Sequence, residues 1–336
     1  MNIKKKIARK IVFPLILNSG FEKIMLKQSH HNIMNILYHG VVRNNSTFFS
    51  PSHIQIKQFE KHLQYLKKHF EIISLPEAFY SYRNNIVPKK KSITVSFDDG
   101  YLNNLELALP LLEKYKIKTT FFVVGSCTEN NSNKLLWTDK ISCFEHFFKK
   151  EKIEFNNNVF LNGKEINSKK SIKTFLKSLK ANERDNIINE LDNKYNLSSK
   201  IKQLDSEIWK MMNKEEIIKL ASSDFVEIGS HGYDHYNLGI INLQDAIKDM
   251  KKSKIALEET INKPVNMIAY PDGSYTIDVK KEALKIGFTD QLAVNYLHDE
   301  DINDKNLLNR YGIPATTTYE SSMIFLNKAF KNKSFN

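Results

Sequence analysis

Short runs of β-branched and aromatic residues alternate along the chain with longer stretches whose apolar positions recur every three or four residues. The runs predict strands at 35–40 (Asn35-Ile36-Leu37-Tyr38-His39-Gly40), 71–75, 93–97, 119–124, 226–229, 267–270, 291–296 and 311–313. Between them, a helix opening at Ser52 would align Ile54, Ile56, Phe59, Leu63, Leu66 and Phe70. Further helices are predicted over 102–115, from the capping-box-like Asn213-Lys214-Glu215-Glu216, over 242–261 and over 277–286. Such alternation argues for an α/β fold, a parallel sheet covered by helices and closed or nearly closed into a barrel. Chemistry in these barrels sits at the C-terminal ends of strands, and His39, Asp98, Asp99, His231 and Pro271 all fall at or just past one.

The rhythm breaks between 128 and 210. That stretch is polar, rich in Lys and Asn, and contains Asn156-Asn157-Asn158 among weak helical patterns. It reads as a long insertion or lid, or equally as a surface elaboration. The resulting division is a basic N-terminal segment (1–30), a barrel domain (31–320) carrying the insertion, and a C-terminal tail (321–336).

Composition narrows the class only a little. Hydrophobic residues at 41% and charged residues at 26% exclude wholesale disorder, and Cys127 and Cys143 alone cannot build a disulfide framework or a multi-cysteine zinc site. Fifty Lys+Arg against 38 Asp+Glu leave +12. Lys and Asn abound throughout, so compositional bias is the first explanation of that charge; a positive field would favour a lipid phosphate, an anionic membrane surface or nucleic acid. Lys4, Lys5, Lys6, Arg9 and Lys10 precede a short apolar run, Ile11 to Leu17, which is interrupted by Pro14 and lacks a small-x-small cleavage site. Ile3, Ile7, Ile11 and Leu15 at helical spacing suit an amphipathic segment on an anionic membrane surface. A cytoplasmic location or peripheral attachment to the inner membrane is therefore expected ahead of export.

Two clusters could carry chemistry. Adjacent carboxylates Asp98-Asp99 at a strand end repel and lose solvation unless a metal ion or an arginine compensates, although Asp99-Gly100 also reads as a turn dipeptide. His231 and His235, at i and i+4 in Ser230-His231-Gly232-Tyr233-Asp234-His235, can share a cation if the backbone coils there. Two imidazoles and one carboxylate leave coordination positions open, which suits catalysis better than a closed structural site.

Ser96-Phe97-Asp98-Asp99-Gly100, the His231/His235 pair and Ala269-Tyr270-Pro271-Asp272-Gly273, in that order, resemble the first three motifs of the polysaccharide deacetylases, carbohydrate esterase family four. The resemblance covers about residues 33–125 and 208–315. It implies a distorted (β/α)7-type barrel and a hydrolase that removes acetyl groups from N-acetylated sugars. It further implies Asp98 as general base and Asp99, His231 and His235 as ligands of a divalent metal, zinc foremost, with Tyr270, Pro271, Asp272 and Tyr101 on the substrate side. A Lewis acid suits that reaction, because an amide carbonyl is a poor electrophile.

The chain departs from the family pattern in places. Ala269 and Asp272 stand where many members carry Arg and Tyr, and the late Leu-x-His motif that supplies the general acid is missing. Tyr38-His39-Gly40-Val41 instead resembles exopolysaccharide deacetylases with an early acid histidine, which makes His39 the candidate acid; a buried strand-end histidine is the plainer alternative. Arg310 could orient Asp98 in place of the missing arginine, and Trp137, Tyr101, Tyr233 and Tyr236 could offer sugar-stacking faces. The expected substrate is an N-acetylhexosamine in a surface glycan, in lipopolysaccharide biosynthesis or on a lipid-linked sugar. Peptidoglycan deacetylation is the second reading. The third is an inactive, basic carbohydrate- or nucleic-acid-binding protein.

Overall fold

Ile93, Val95 and Phe97 alternate with Ser92, Thr94 and Ser96, and the pleat of this strand sends the two sets to opposite faces. The apolar set meets the covering helices: Phe97 stacks on Tyr38 and Phe121 at centroid distances of 5.4 and 5.1 Å and meets Phe59 edge-on. The polar set turns to the other face, where Thr94 donates to Asn35 Oδ1 (2.9 Å) and Ser96 to the Ile36 carbonyl (2.9 Å). Asp98, one step past the strand, inherits that polar face.

The computed structural model describes residues 12–19, 32–44, 51–129 and 134–330. Its main sheet holds β1 (Ile33–Tyr38), β2 (Ser92–Phe97), β3 (Thr119–Val123), β4 (Val226–Ser230), β5 (Met267–Ala269), β6 (Asp290–Ala293), β7 (Leu307–Asn309) and β8 (Tyr311–Gly312). They run β7-β6-β5-β4-β3-β2-β1-β8, every pairing parallel, with Glu71–Ile72 beside β2. Asn35 Nδ2 donates to the Asn309 carbonyl (3.1 Å) and so ties β1, near one end of that order, to β7 at the other, and the sheet nearly closes into a barrel. Helix Leu75–Arg83 packs Leu75, Ala78 and Phe79 against Phe122, Met267, Ala269, Leu292 and Leu308 in a second apolar cluster.

Several boundaries move. The helix expected from Ser52 begins at Ile56, because His53–Gln55 pairs as a strand with Gly40–Val42. The strand expected over 71–75 stops at Ile72, because Ser74 and Glu77 close a capping box that opens Leu75–Arg83. The segment read as a C-terminal tail starts inside helix Tyr319–Ala329, whose Met323 and Leu326 are wholly buried in the core. Of the N-terminal segment, helix Phe13–Asn18 is described; Phe13 meets Phe325 of that last helix edge-on at 5.9 Å, while Ile3 and the basic positions 4–10 lie outside the described residues. Among the described residues, no helix is long and apolar enough to cross a membrane.

The insertion is a compact subdomain. Helices Trp137–Phe147, Ile172–Lys177, Ala181–Tyr195 and Leu197–Lys202 and a three-stranded antiparallel meander (Ile153–Phe155, Asn158–Leu161, Lys164–Glu165) bury a core of their own around Ile141, Phe144, Phe160, Leu176, Leu191 and Ile201.

Candidate active site

Asp98 and Asp99 leave β2 side by side but face different partners. Arg310, between β7 and β8 and 1% exposed, places Nη1 2.7 Å from Asp98 Oδ1 and Nη2 2.8 Å from Oδ2, a buried, two-pronged ion pair. Burial pushes the Asp98 carboxyl up, but the Arg310 guanidinium and His231 outweigh it and hold it below the usual carboxylate value. Asp99 sits at φ 77, left-handed backbone that a side chain adopts only under constraint, and turns its carboxylate toward the histidine loop. Asp99 Oδ1 is 3.5 Å from His231 Nε2 and 3.3 Å from His235 Nε2.

The histidine loop follows β4. Gly232 (φ 71) lets it fold against Asp249, where a Cβ would come within 2.9 Å of Asp249 Oδ1. Asp249, from helix Leu243–Ile261, then accepts the N–H groups of Tyr233 (2.8 Å) and Asp234 (3.0 Å). The coil brings both rings together at 5.0 Å between centroids. His231 Nδ1 lies 2.8 Å from the Ala269 carbonyl. A carbonyl only accepts, so the neutral ring carries its proton on Nδ1 and offers a lone pair at Nε2. Burial keeps His231 below the ordinary imidazole value, against the pull of Asp98 and Asp99; His235 is also penalised by burial, but its hydrogen bond to Asp99 raises it. Burial likewise opposes the Asp99 charge, and His235 and His39 prevail, leaving that carboxyl far below normal.

One carboxylate oxygen and two imidazole nitrogens, all within 4.8 Å of one another and all buried, fit a divalent cation. The carbonyl anchoring His231 Nδ1 is the second-layer contact that fixes a ligand's tautomer. Three protein donors leave further positions on such an ion for water and substrate.

Around this centre lies a cavity of about 320 Å³, lined by His39, Tyr101, Tyr270, Asp272 and Gly273 as well as by the acidic pair and both histidines. The structure thus brings together Asp98, Asp99, His39, His231, His235, Tyr101, Tyr270 and Asp272, with Arg310 directly behind Asp98. Pro271 is buried and is not among the residues that line the cavity. Gly40 explains the motif that carries His39: a Cβ there would stand 2.4 Å from the His53 ring, which packs edge-on against Tyr101. Tyr233 donates to Glu129, and Trp137 and Tyr236 sandwich Arg184 at 4.9 and 5.3 Å, so none of these three aromatics faces the cavity. Sequence reasoning missed Asp249, Asp139, Lys173 and Lys177; the last three bring the insertion into the cavity wall, where Lys177 pairs with Asp272.

The sequence profile of the polysaccharide deacetylases matches residues 85–290. The chain belongs to that family. It is 26% identical over 281 residues to the poly-beta-1,6-N-acetyl-D-glucosamine N-deacetylase of Staphylococcus aureus strain MRSA252, covering 79% of this chain and 74% of that one. A Bacillus subtilis protein named for the same family is 31% identical over 91 residues, which span 27% of this chain and 31% of that protein's length. Among solved structures, the deacetylase PplD of Streptococcus pyogenes, in complex with acetate, superposes with a TM-score of 0.58 at 17% identity over 87% of this chain and 96% of that one, a likeness of fold. The expected distorted barrel and the expected enzyme class, a polysaccharide deacetylase hydrolysing carbon–nitrogen bonds, both hold for this polysaccharide deacetylase.

Proposed function

We propose that this polysaccharide deacetylase removes N-acetyl groups from an N-acetylhexosamine polysaccharide, with a divalent cation, zinc foremost, held by Asp99, His231 and His235. The observation that carries the reading is the pairing of that three-donor cluster with a separate carboxylate, Asp98, locked by Arg310 at its side. The kinship with an enzyme named for poly-beta-1,6-N-acetyl-D-glucosamine supports a polymer of N-acetylated hexosamine ahead of peptidoglycan or a lipid-linked sugar.

A bound cation supplies electrophilic polarisation of the acetamide carbonyl and acidification of water. The chain's own groups do the rest. Arg310 spends one lone pair on each Asp98 oxygen and fixes the carboxylate plane, leaving the other lone pairs to accept a proton from the attacking water. Water adds to the carbonyl carbon and the C–N bond breaks. The departing nitrogen needs a proton because an amide anion is a very poor leaving group; His39, in the same cavity, donates it. Acetate and a free amine on the sugar are the products.

The test is acetate release from polymeric N-acetylglucosamine by the metal-loaded protein, with chelation as the control. Asp98→Asn keeps the shape of the side chain and removes the base, so kcat should fall about 10²–10⁴-fold. Full activity in that variant would remove the base assignment, and glycan binding without acetate release would favour an inactive binding protein.

A further inference from the structure

Four carboxylates line the catalytic cavity, and three of them have cationic or imidazole partners: Asp98 has Arg310, Asp99 has the two histidines, and Asp272 has Lys177. Asp139 has none. It comes from the insertion, in the first turn of helix Trp137–Phe147, and is 4% exposed. Both of its oxygens lie 3.1 Å from one hydroxyl, that of Tyr101, and among the described residues no other side chain hydrogen-bonds or ion-pairs with it. A carboxylate offers about four acceptor positions, and burying one against a single phenol costs several kcal/mol. Burial, and then the nearby charge of Asp99, push this carboxyl up to about 7. A partner for the Tyr101 hydroxyl could be an amide at far lower cost. Asp139 lines the same cavity as the centre, the space in which a sugar must lie if its acetamide is to reach that centre.

We propose that Asp139 reads the sugar: its carboxylate, steadied by Tyr101, accepts a hydrogen bond from a ring hydroxyl of the hexosamine unit being deacetylated. The inference rests on the deacetylase reading above and deepens it, because it places part of the substrate selectivity in the insertion. The barrel supplies the hydrolytic centre, and the insertion asks whether a polyhydroxylated ring accompanies the acetamide. A deoxygenated or O-alkylated ring leaves the Asp139 acceptors buried and unpaired, the arrangement by which a polar site rejects an analogue lacking the matching donor.

The experiment compares acetate release from a methyl glycoside of N-acetylglucosamine, from its two mono-deoxy analogues at the ring hydroxyl positions, and from 4-nitrophenyl acetate, which has no ring hydroxyl. The proteins are the metal-loaded full chain, Asp139→Asn and Asp139→Ser. For the unaltered chain, loss of one particular hydroxyl should lower kcat/KM about 10–100-fold. In either variant that penalty should shrink to about threefold or less, and kcat/KM on the sugar relative to the aryl acetate should drop about 10–100-fold. Turnover of the aryl acetate shows that a variant is folded, and the serine variant serves if the asparagine one is not. A deoxy penalty that persists in a folded variant, no penalty for any analogue, or a parallel fall on sugar and aryl acetate would overturn the inference. If the unaltered chain turns over the aryl acetate but neither the methyl glycoside nor polymeric N-acetylglucosamine, the deacetylase reading itself fails and this inference with it.

Discussion

Arg310 commits both ends of its guanidinium to Asp98 and rests over the Phe122 ring at 5.2 Å, where water cannot replace either contact. Arg310→Lys keeps the charge but cannot span both carboxylate oxygens, so the carboxylate plane is released. Expected is a loss of about 2 kcal/mol in the chemical step, roughly 30-fold in kcat, with KM moved less than about threefold. Arg310→Met leaves Asp98 buried without compensation and should destabilise the fold by about 3–5 kcal/mol in a urea melt. A lysine variant with full kcat would show that the fork has no positioning role. Residues of this kind divide by how the sequence announces them. Asp98, Asp99, His231 and His235 stand in short contiguous motifs at strand ends, so their convergence could be expected from the pattern together with the family resemblance. Asp249 and Asp139 sit inside ordinary amphipathic helices, 15 or more and 38 positions from the groups they serve, and only tertiary folding reveals them. Arg310 was readable because a single arginine stands just before a predicted strand, opposite a carboxylate that needs one.

Between helix Ile277–Ile286 and the turn at 297–303, Asp301 gathers four donors: Lys280 Nζ (2.6 Å), the Tyr275 hydroxyl (2.5 Å), and the N–H groups of Leu297 (3.1 Å) and His298 (2.9 Å). Tyr275 stacks on Tyr270 at 5.0 Å, so this knot braces the cavity wall from behind. Burial raises the Asp301 carboxyl, but Lys280 and Tyr275 prevail and hold it below its ordinary value. A folded-state pKa below the unfolded one means that the stabilisation is present above the unfolded value, about pH 4, and is lost as the pH falls through the folded value. Asp301→Asn should therefore cost about 3 kcal/mol at pH 7, progressively less as the pH falls from the unfolded value through the folded one, and flatten the acid limb of a denaturation curve. An unchanged acid limb would assign that slope to other carboxylates. Elements differ in the same way as residues. Strand β2 and its neighbours were readable because alternation and β-branching agree, and the long helix over 242–261 because its period is sustained. The short β7 and the helix Leu75–Arg83 were missed, since three residues show no period and Leu75-Pro76 reads as an end rather than the first turn Ser74 makes of it. Asn156-Asn157, read as part of a polar break, is the left-handed two-residue turn (φ 48 and 62) of a hairpin.

At the scale of the molecule, the question is whether the insertion is a loose lid or a fixed wall. It holds its own apolar core, yet the barrel grips it repeatedly: Tyr101 on Asp139, Lys177 on Asp272, Lys134 on Asp234 at 2.7 Å, Arg43 on Glu207, and Arg184 between Trp137 and Tyr236. Contacts distributed over so many places describe a wall. The centre itself, however, is drawn from barrel residues alone, Asp98, Asp99, His231, His235 and Arg310. The two functions should therefore separate when only the insertion is weakened. Phe160 is 1% exposed and sits in the insertion core, well away in the chain from every centre residue. Phe160→Ala removes a buried ring and leaves a cavity, a cost of about 3–5 kcal/mol borne by a subdomain with a small core. The insertion should then open before the barrel does, giving a first melting transition that Asp98→Asn lacks. Metal affinity, measured by titration calorimetry, should stay within about threefold of the unaltered chain, while kcat/KM on N-acetylated glycan falls about tenfold or more as the wall loosens. If metal affinity falls in step with glycan turnover, the insertion is holding the ligands in place, and the division of labour between barrel and insertion is wrong.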